Sequence, residues 1–227
     1  MLTSPRDIVG RVSFRRAALL LSASLGALAL SGCSVIATTE PTPGAASTAT
    51  SAPPVVVTDD YPFNAASGLD SSSSIRWIDA MGAADGFTVA VADDGDGRWS
   101  YQQTSSQCII GFWQADVRDL DLTQDERTLS DTMLAEEYGT TDVASVTKYA
   151  YDDALPTQTT GTGTVRVRSV VSTNSKNGAS SIVSARVFRT AKVGLLTSVD
   201  CPDGFSAATV RDELAPNDIR MVIRPGS

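Results

Sequence analysis

The chain has 227 residues, with 18 Lys and Arg against 26 Asp and Glu, no histidine, and a formal charge of −8 at pH 7. That acidic balance argues against nucleic acid as a partner, since holding phosphates takes clustered Lys and Arg. The missing histidine excludes Ser-His-Asp and Cys-His nucleophilic sites and deprives zinc of its commonest ligand.

The first 32 residues have the layout of a secretory signal. Arg6, Arg11, Arg15 and Arg16 precede an uncharged run from Ala17 to Leu30, and the small residues Ser31 and Gly32 follow. At about 14 residues the run is too short to span a bilayer, which takes roughly 20. Leu30-Ser31-Gly32-Cys33 resembles the lipobox of bacterial lipoproteins. The resemblance implies cleavage before Cys33 and a diacylglyceryl group, carrying palmitate-type chains, on its thiol. It places the protein on the extracytoplasmic face of the cell membrane. Two acyl chains hold stably where one holds marginally, at about 0.8 kcal/mol per buried methylene. The alternative is an ordinary secretory signal with a cysteine near the cut. Arg15-Arg16 leaves Sec and Tat export both open. The scarcity of Lys beside Arg, Ala, Thr and Asp resembles an actinobacterial, high-GC composition.

Residues 1–32 carry four Arg and one Asp, so the remainder has 14 basic and 25 acidic residues, a charge of about −11. Such a body is repelled by anionic lipid, which leaves the acyl group as the membrane attachment. Residues 33–74 are rich in Ser, Thr, Ala and Pro (Pro41, Pro43, Pro53, Pro54) and end in Ser71–Ser74. They read as a disordered tether with a coil span of roughly 35 Å. Its Ser/Thr density permits O-glycosylation. Val55-Val56-Val57 and Tyr61-Pro62-Phe63 are two apolar patches that could dock as an edge strand or latch.

Residues 75–227 are long enough for one domain with its own core. Phe87–Val91 alternates like a strand, Asp94-Gly95-Asp96-Gly97 supplies turn chemistry, and Arg98–Tyr101 alternates again, which predicts a hairpin. Cys108–Trp113 is apolar at both parities, as in a strand covered on both faces. Thr123-Gln124-Asp125-Glu126 reads as a capping box for a helix carrying Leu129, Met133 and Leu134 and stopped at Gly139. Strands are predicted at Val146–Tyr151, Val165–Ser172, Ser181–Arg189 and Gly194–Cys201, then a helix at Ser206–Leu214 and a strand at Ile219–Ile223. The fold class is therefore α+β: a mostly antiparallel sheet with two flanking helices. This element order resembles the PsbP-like fold found in some actinobacterial lipoproteins, which implies a fold rather than an activity. Cys108 and Cys201, an even pair outside the cytoplasm, are predicted to form a disulfide.

Recognisable chemistry is sparse. Aligning Asp94, Asp96 and Gly97 with an EF-hand loop puts Ala92 at position one and Gln103 at position twelve, so the hairpin turn is the better reading and no metal is expected. P-loop, dinucleotide and nucleophile-elbow motifs are absent from the sequence, and no cofactor is expected. Asp125, Glu126, Asp131, Glu136 and Glu137 read as a solvated helix face. Arg166, Arg168, Arg186 and Arg189 read as surface charge, or else as a modest anion site. Trp99, Tyr101 and Trp113 are the candidate ligand contacts, Trp99 and Tyr101 sharing a strand face. These features predict a non-enzymatic, lipid-anchored protein that binds an envelope protein or ligand. A carrier holding a small apolar or glycan ligand between sheet and helix is the second reading, and a histidine-free hydrolase is the third.

Overall fold

A computed structural model describes residues 60–63, 69–78, 80–158 and 163–226. Cys33, the predicted signal, and the tether up to residue 59 lie outside the described residues. Among the described residues nine strands and three α-helices follow in order: β1 (Ser74–Trp77), β2 (Phe87–Val91), β3 (Arg98–Gln103), β4 (Ile109–Asp116), α1 (Glu126–Glu137), α2 (Val143–Thr147), β5 (Tyr151–Pro156), β6 (Thr164–Thr173), β7 (Ser180–Phe188), β8 (Val193–Cys201), α3 (Ala207–Leu214) and β9 (Met221–Arg224). Seven strands form one sheet in the order β2-β3-β4-β8-β7-β6-β5, while β1 and β9 pair as a separate ribbon. Every ladder is antiparallel. The fold is thus α+β, mostly antiparallel sheet with flanking helices.

Side-chain alternation splits the core into two layers. Val183, Ala185 and Val187 of β7 face α1, joining Leu129, Met133 and Leu134. Ile182 and Phe188 face the other way, with Ile110, Phe112, Leu195 and Val199, under Val210 and Leu214 of α3 and Trp77, Met221 and Ile223 of the ribbon. A strand covered on both sides needs apolar residues at both parities, and β7 and β8 satisfy this best. α1 approaches closely over β8 because Gly194 is bare. A Cβ there would sit 2.7 Å from Val117 Cγ1 and 3.0 Å from Met133 Sδ.

Several expected boundaries move. The N-cap of α1 is Asp125, whose carboxylate accepts from the amides of Arg127 and Thr128 at 3.0 Å each. Thr123 instead bonds Asp121, and the Glu126 carboxylate leaves the helix end for Arg186, so the predicted capping box does not close. The Thr128 amide, more than any other group, holds the Asp125 carboxyl below the usual carboxylate range. A carboxyl lowered by folding contributes stability above its unfolded value and loses it as pH falls through its folded value. Asp125→Ala is expected to cost about 1 kcal/mol at neutral pH, with Asp125→Asn largely sparing it. The gap between Asp125→Ala and the parent should narrow in melts below about pH 4, the ordinary carboxyl range.

The stretch predicted as a strand at Val146–Tyr151 begins instead inside α2. Asp142 caps that short helix through the Ser145 amide, and Val146 is buried against α1; extended backbone starts only at Tyr151. β1 was not anticipated: Ile75 and Trp77 lie inward beside serines, and the strand begins at Ser74.

The end of the predicted tether belongs to this core. β6 pairs with β7 only from Arg168 onward. Where β7 departs, Tyr61 meets β6 in a parallel bridge to Val165, donating to the Thr164 carbonyl (2.8 Å) and accepting from the Arg166 amide (3.0 Å). Tyr61 is fully buried, and the Asp60 carboxylate accepts from the Thr164 amide and hydroxyl. The latch at Tyr61-Pro62-Phe63 therefore docks, and the boundary drawn at residue 75 falls after it. Val55–Val57 lies outside the described residues.

Candidate functional site

The β2–β3 hairpin turns through Asp93–Gly97. The Asp93 Oδ1 accepts from the Gly95 amide (2.9 Å) and the Gly97 amide (3.3 Å), and Asp96 accepts from the Arg98 amide (2.8 Å). Gly97 has φ +74°, and a Cβ there would collide with the Gln114 carbonyl, so the turn tolerates only glycine at this position. The Asp93, Asp94 and Asp96 carboxylates are exposed and lie within 4.8 Å of one another. One oxygen of each already serves the turn's own amides, as expected of a hairpin.

This hairpin overhangs a cleft of about 390 Å³ on the ribbon side of the sheet. Its walls are Val89 and Val91 of β2, Trp99 and Tyr101 of β3, Arg76 and Trp77 of β1, and Gln114 of β4, with Asp93 at the turn. Phe112 sits behind this wall at the centre of an aromatic group. Trp99 stacks on it (5.5 Å, 18°), while Trp77 and Tyr101 meet it edge-on at 5.6 and 6.4 Å. Such pairs add about 0.5–1.5 kcal/mol each beyond burial. The Trp77 Nε1–H donates to the Trp113 carbonyl (3.2 Å). The Trp99 Nε1–H is shielded from water and has no acceptor among the described residues. Val89 is 59% exposed and Val91 40% exposed, which is unusual for strand valines that have a core available to them.

Trp99 and Tyr101 thus share the cleft as their strand parity predicts. Trp113 does not join them. It lies on the α1 side of the sheet, covered by the Arg98 guanidinium at 3.7 Å from its ring centre, with Arg98 paired to Glu137 at 3.0 Å. The cleft lies between hairpin and ribbon rather than between sheet and helix. A second depression, about 460 Å³, is walled partly by Asp116 and Arg118, which pair with each other at 2.9 Å.

The charges read as solvent-facing are partly internal. Arg168 is 3% exposed on the α1 side of β6. It donates to Asp131 (2.7 Å), Asp152 (2.8 Å) and the Ala150 carbonyl (2.9 Å). Thr147 donates to the second Asp131 oxygen (2.9 Å), and Arg127 pairs with Asp152 (2.8 Å). Burial disfavours the Arg168 cation, but the hydrogen bonds to Asp131 and Asp152 outweigh it and hold the group above its ordinary range.

Arg186, 2% exposed, pairs with Glu126 (2.6 Å), donates to the Pro62 carbonyl (3.1 Å), and lies between the rings of Phe63 and Phe188. Burial pushes its guanidinium down to about 10, opposed by Glu126, so it remains a cation at neutral pH. Arg211 of α3 binds Asp153, Asp212 and the buried Ser184 hydroxyl, on the face of the sheet opposite Arg168. Asp131 and Glu126 are therefore not solvated, and Arg168 and Arg186 are neither surface charges nor an open anion site; Arg166 and Arg189 are exposed. These contacts tie helices to strands and hold the sheet on which the cleft is built.

No family model matches the chain, and comparison with curated proteins and with solved structures finds no match.

Proposed function

We propose that this chain is a non-catalytic lipoprotein of the extracytoplasmic membrane face, moored through Cys33, whose domain holds a small ligand in the cleft beneath the β2–β3 hairpin. The cleft carries the reading. It is concave, at about 390 Å³ within the range of small-molecule sites, walled by aromatic and aliphatic side chains, and provided with a few polar groups at its edge. Arg76, Asp93 and Gln114 are those groups. The disulfide between Cys108 and Cys201 suits an oxidising compartment, and the acidic composition leaves the lipid to supply the attachment.

The anchor and the cleft are tested separately. Growth with labelled palmitate should place label on the chain, and Cys33→Ala should abolish the label and release the protein from membranes. Retention of label in that variant would reject the anchor. Native mass spectrometry of the protein from its own membrane should show a bound small molecule, which Val89→Lys, a change at an exposed position, should eliminate. A clean apo mass for the parent would count against the cleft. Docking of an envelope protein is the second reading, favoured by β2, an edge strand of the seven-stranded sheet with exposed valines.

A further inference from the structure

Resting on that reading, we infer that the cleft takes a small zwitterion with an apolar side group, a free amino acid of the leucine or phenylalanine kind, its carboxylate on Arg76 and its ammonium on Asp93. Among the described residues six arginines pair with carboxylates, Arg98, Arg118, Arg127, Arg168, Arg186 and Arg211, and Arg76, Arg166, Arg189, Arg220 and Arg224 do not. Arg76, exposed on β1 at the cleft wall, has no carboxylate partner among the described residues. A free guanidinium offers a planar pair of donors that matches a carboxylate in a bidentate fashion.

The turn provides the opposite charge. Asp93 spends its Oδ1 on the amides of Gly95 and Gly97, while its Oδ2 has no partner among the described residues. Asp94 and Asp96 stand within 4.8 Å of it and deepen the negative potential that an ammonium would meet. Cation and anion therefore line the same cleft, and a ligand with one charge would leave the other unanswered.

The rest of the lining is largely apolar. Val89 and Val91 are exposed there, and Trp99 and Tyr101 form the wall behind. A glycan would bring a ring of hydroxyls to this surface, yet beyond Arg76 and Asp93 the lining offers only Gln114 as a further flexible polar side chain. Unmatched hydroxyls are costly to desolvate. An aliphatic or aromatic side group gains from the same contact. At about 30 Å³ per unit, the share of one water in liquid, a cleft of about 390 Å³ has room for roughly a dozen non-hydrogen atoms. Phenylalanine and leucine fit that size.

The test uses the protein expressed from the full chain and held in lipid nanodiscs, with empty nanodiscs as blank, titrated by calorimetry and tryptophan fluorescence. The probes are L-phenylalanine, 3-phenylpropionate (no ammonium), 2-phenylethylamine (no carboxylate) and glycine (no side group). Phenylalanine is expected to bind at least tenfold tighter than each of the others. Arg76→Gln should weaken phenylalanine about tenfold and leave 2-phenylethylamine unchanged. Asp93→Asn, which keeps the oxygen the turn needs, should weaken phenylalanine about tenfold and leave 3-phenylpropionate unchanged. Equal binding of the three phenyl probes, or loss of all binding in both variants alike, would overturn the charge assignment while leaving a ligand cleft in place. No phenylalanine binding, with a different molecule released from the purified parent but not from Val89→Lys, would overturn the zwitterion and retain the cleft. Failure of every probe together with an empty parent would remove both.

Discussion

Replacing Asp131 by alanine is expected to lower stability by about 3–5 kcal/mol, the usual cost of breaking a buried ion pair from one side. In a chain of this size that corresponds to a fall in Tm of roughly 10 °C. Arg168 is 3% exposed, so water cannot replace the lost carboxylate, and only Asp152 and one carbonyl remain to it. The Thr147 hydroxyl loses an acceptor as well, which loosens α2 from α1. The damage should come from the stranded charge rather than from the missing attraction. Exchanging both partners, Asp131→Leu with Arg168→Met, is accordingly expected to recover most of the loss, since Asp152 retains Arg127. A melt of Asp131→Ala within 2–3 °C of the parent, or a double variant no better than the single, would refute this account.

Replacing both Cys108 and Cys201 by serine is expected to cost a further comparable amount, about 3–5 kcal/mol. The two cysteines face each other across β4 and β8, one step beyond the Ile109–Asp200 pair, and are separated by 93 residues in sequence. Closing a loop of that length restricts the unfolded chain by about 4–5 kcal/mol on chain-entropy grounds, an upper figure because denatured chains keep some structure. Guanidinium unfolding of the parent should shift to lower concentration on adding reductant, whereas the double-serine variant should be indifferent to it. Non-reducing mass spectrometry of the denatured parent should find no alkylatable thiol at either position; two free thiols there would contradict the bond.

The elements legible in the sequence were those whose cause is local. The hairpin followed from Asp94-Gly95-Asp96-Gly97, because the backbone of that turn must adopt φ values that glycine tolerates. α1 followed from apolar residues at helical spacing and the stop at Gly139. The long strands followed from alternation, and with them the α+β class. The cysteine pairing followed from an even number of cysteines beyond Cys33 and from the oxidising compartment expected for the chain. Where local signals competed, boundaries slipped. Thr123 and Asp125 both suit an N-cap, and the winner was decided by Glu126 being drawn away to Arg186 on β7. β1 went unseen because only Ile75 and Trp77 mark it among serines, and its stability comes from β9, nearly 150 residues later.

The charged residues show the limit most clearly. In sequence, Asp131 and Arg168 are ordinary polar positions on a helix and a strand. Nothing in either segment says that α1 lies over β6 so that each removes the other from water. The cleft has the same character. Parity alone separates Trp99 and Tyr101 from Trp113, yet which of those faces stays open depends on where the β1–β9 ribbon and Arg98 come to rest. The sequence by itself determined most of the secondary structure, the class of fold and the cysteine pair, since backbone preference and hydrophobic period act between near neighbours. Only the tertiary structure decided which charges are buried and which apolar face is left uncovered, because desolvation depends on what distant segments place on top of a residue.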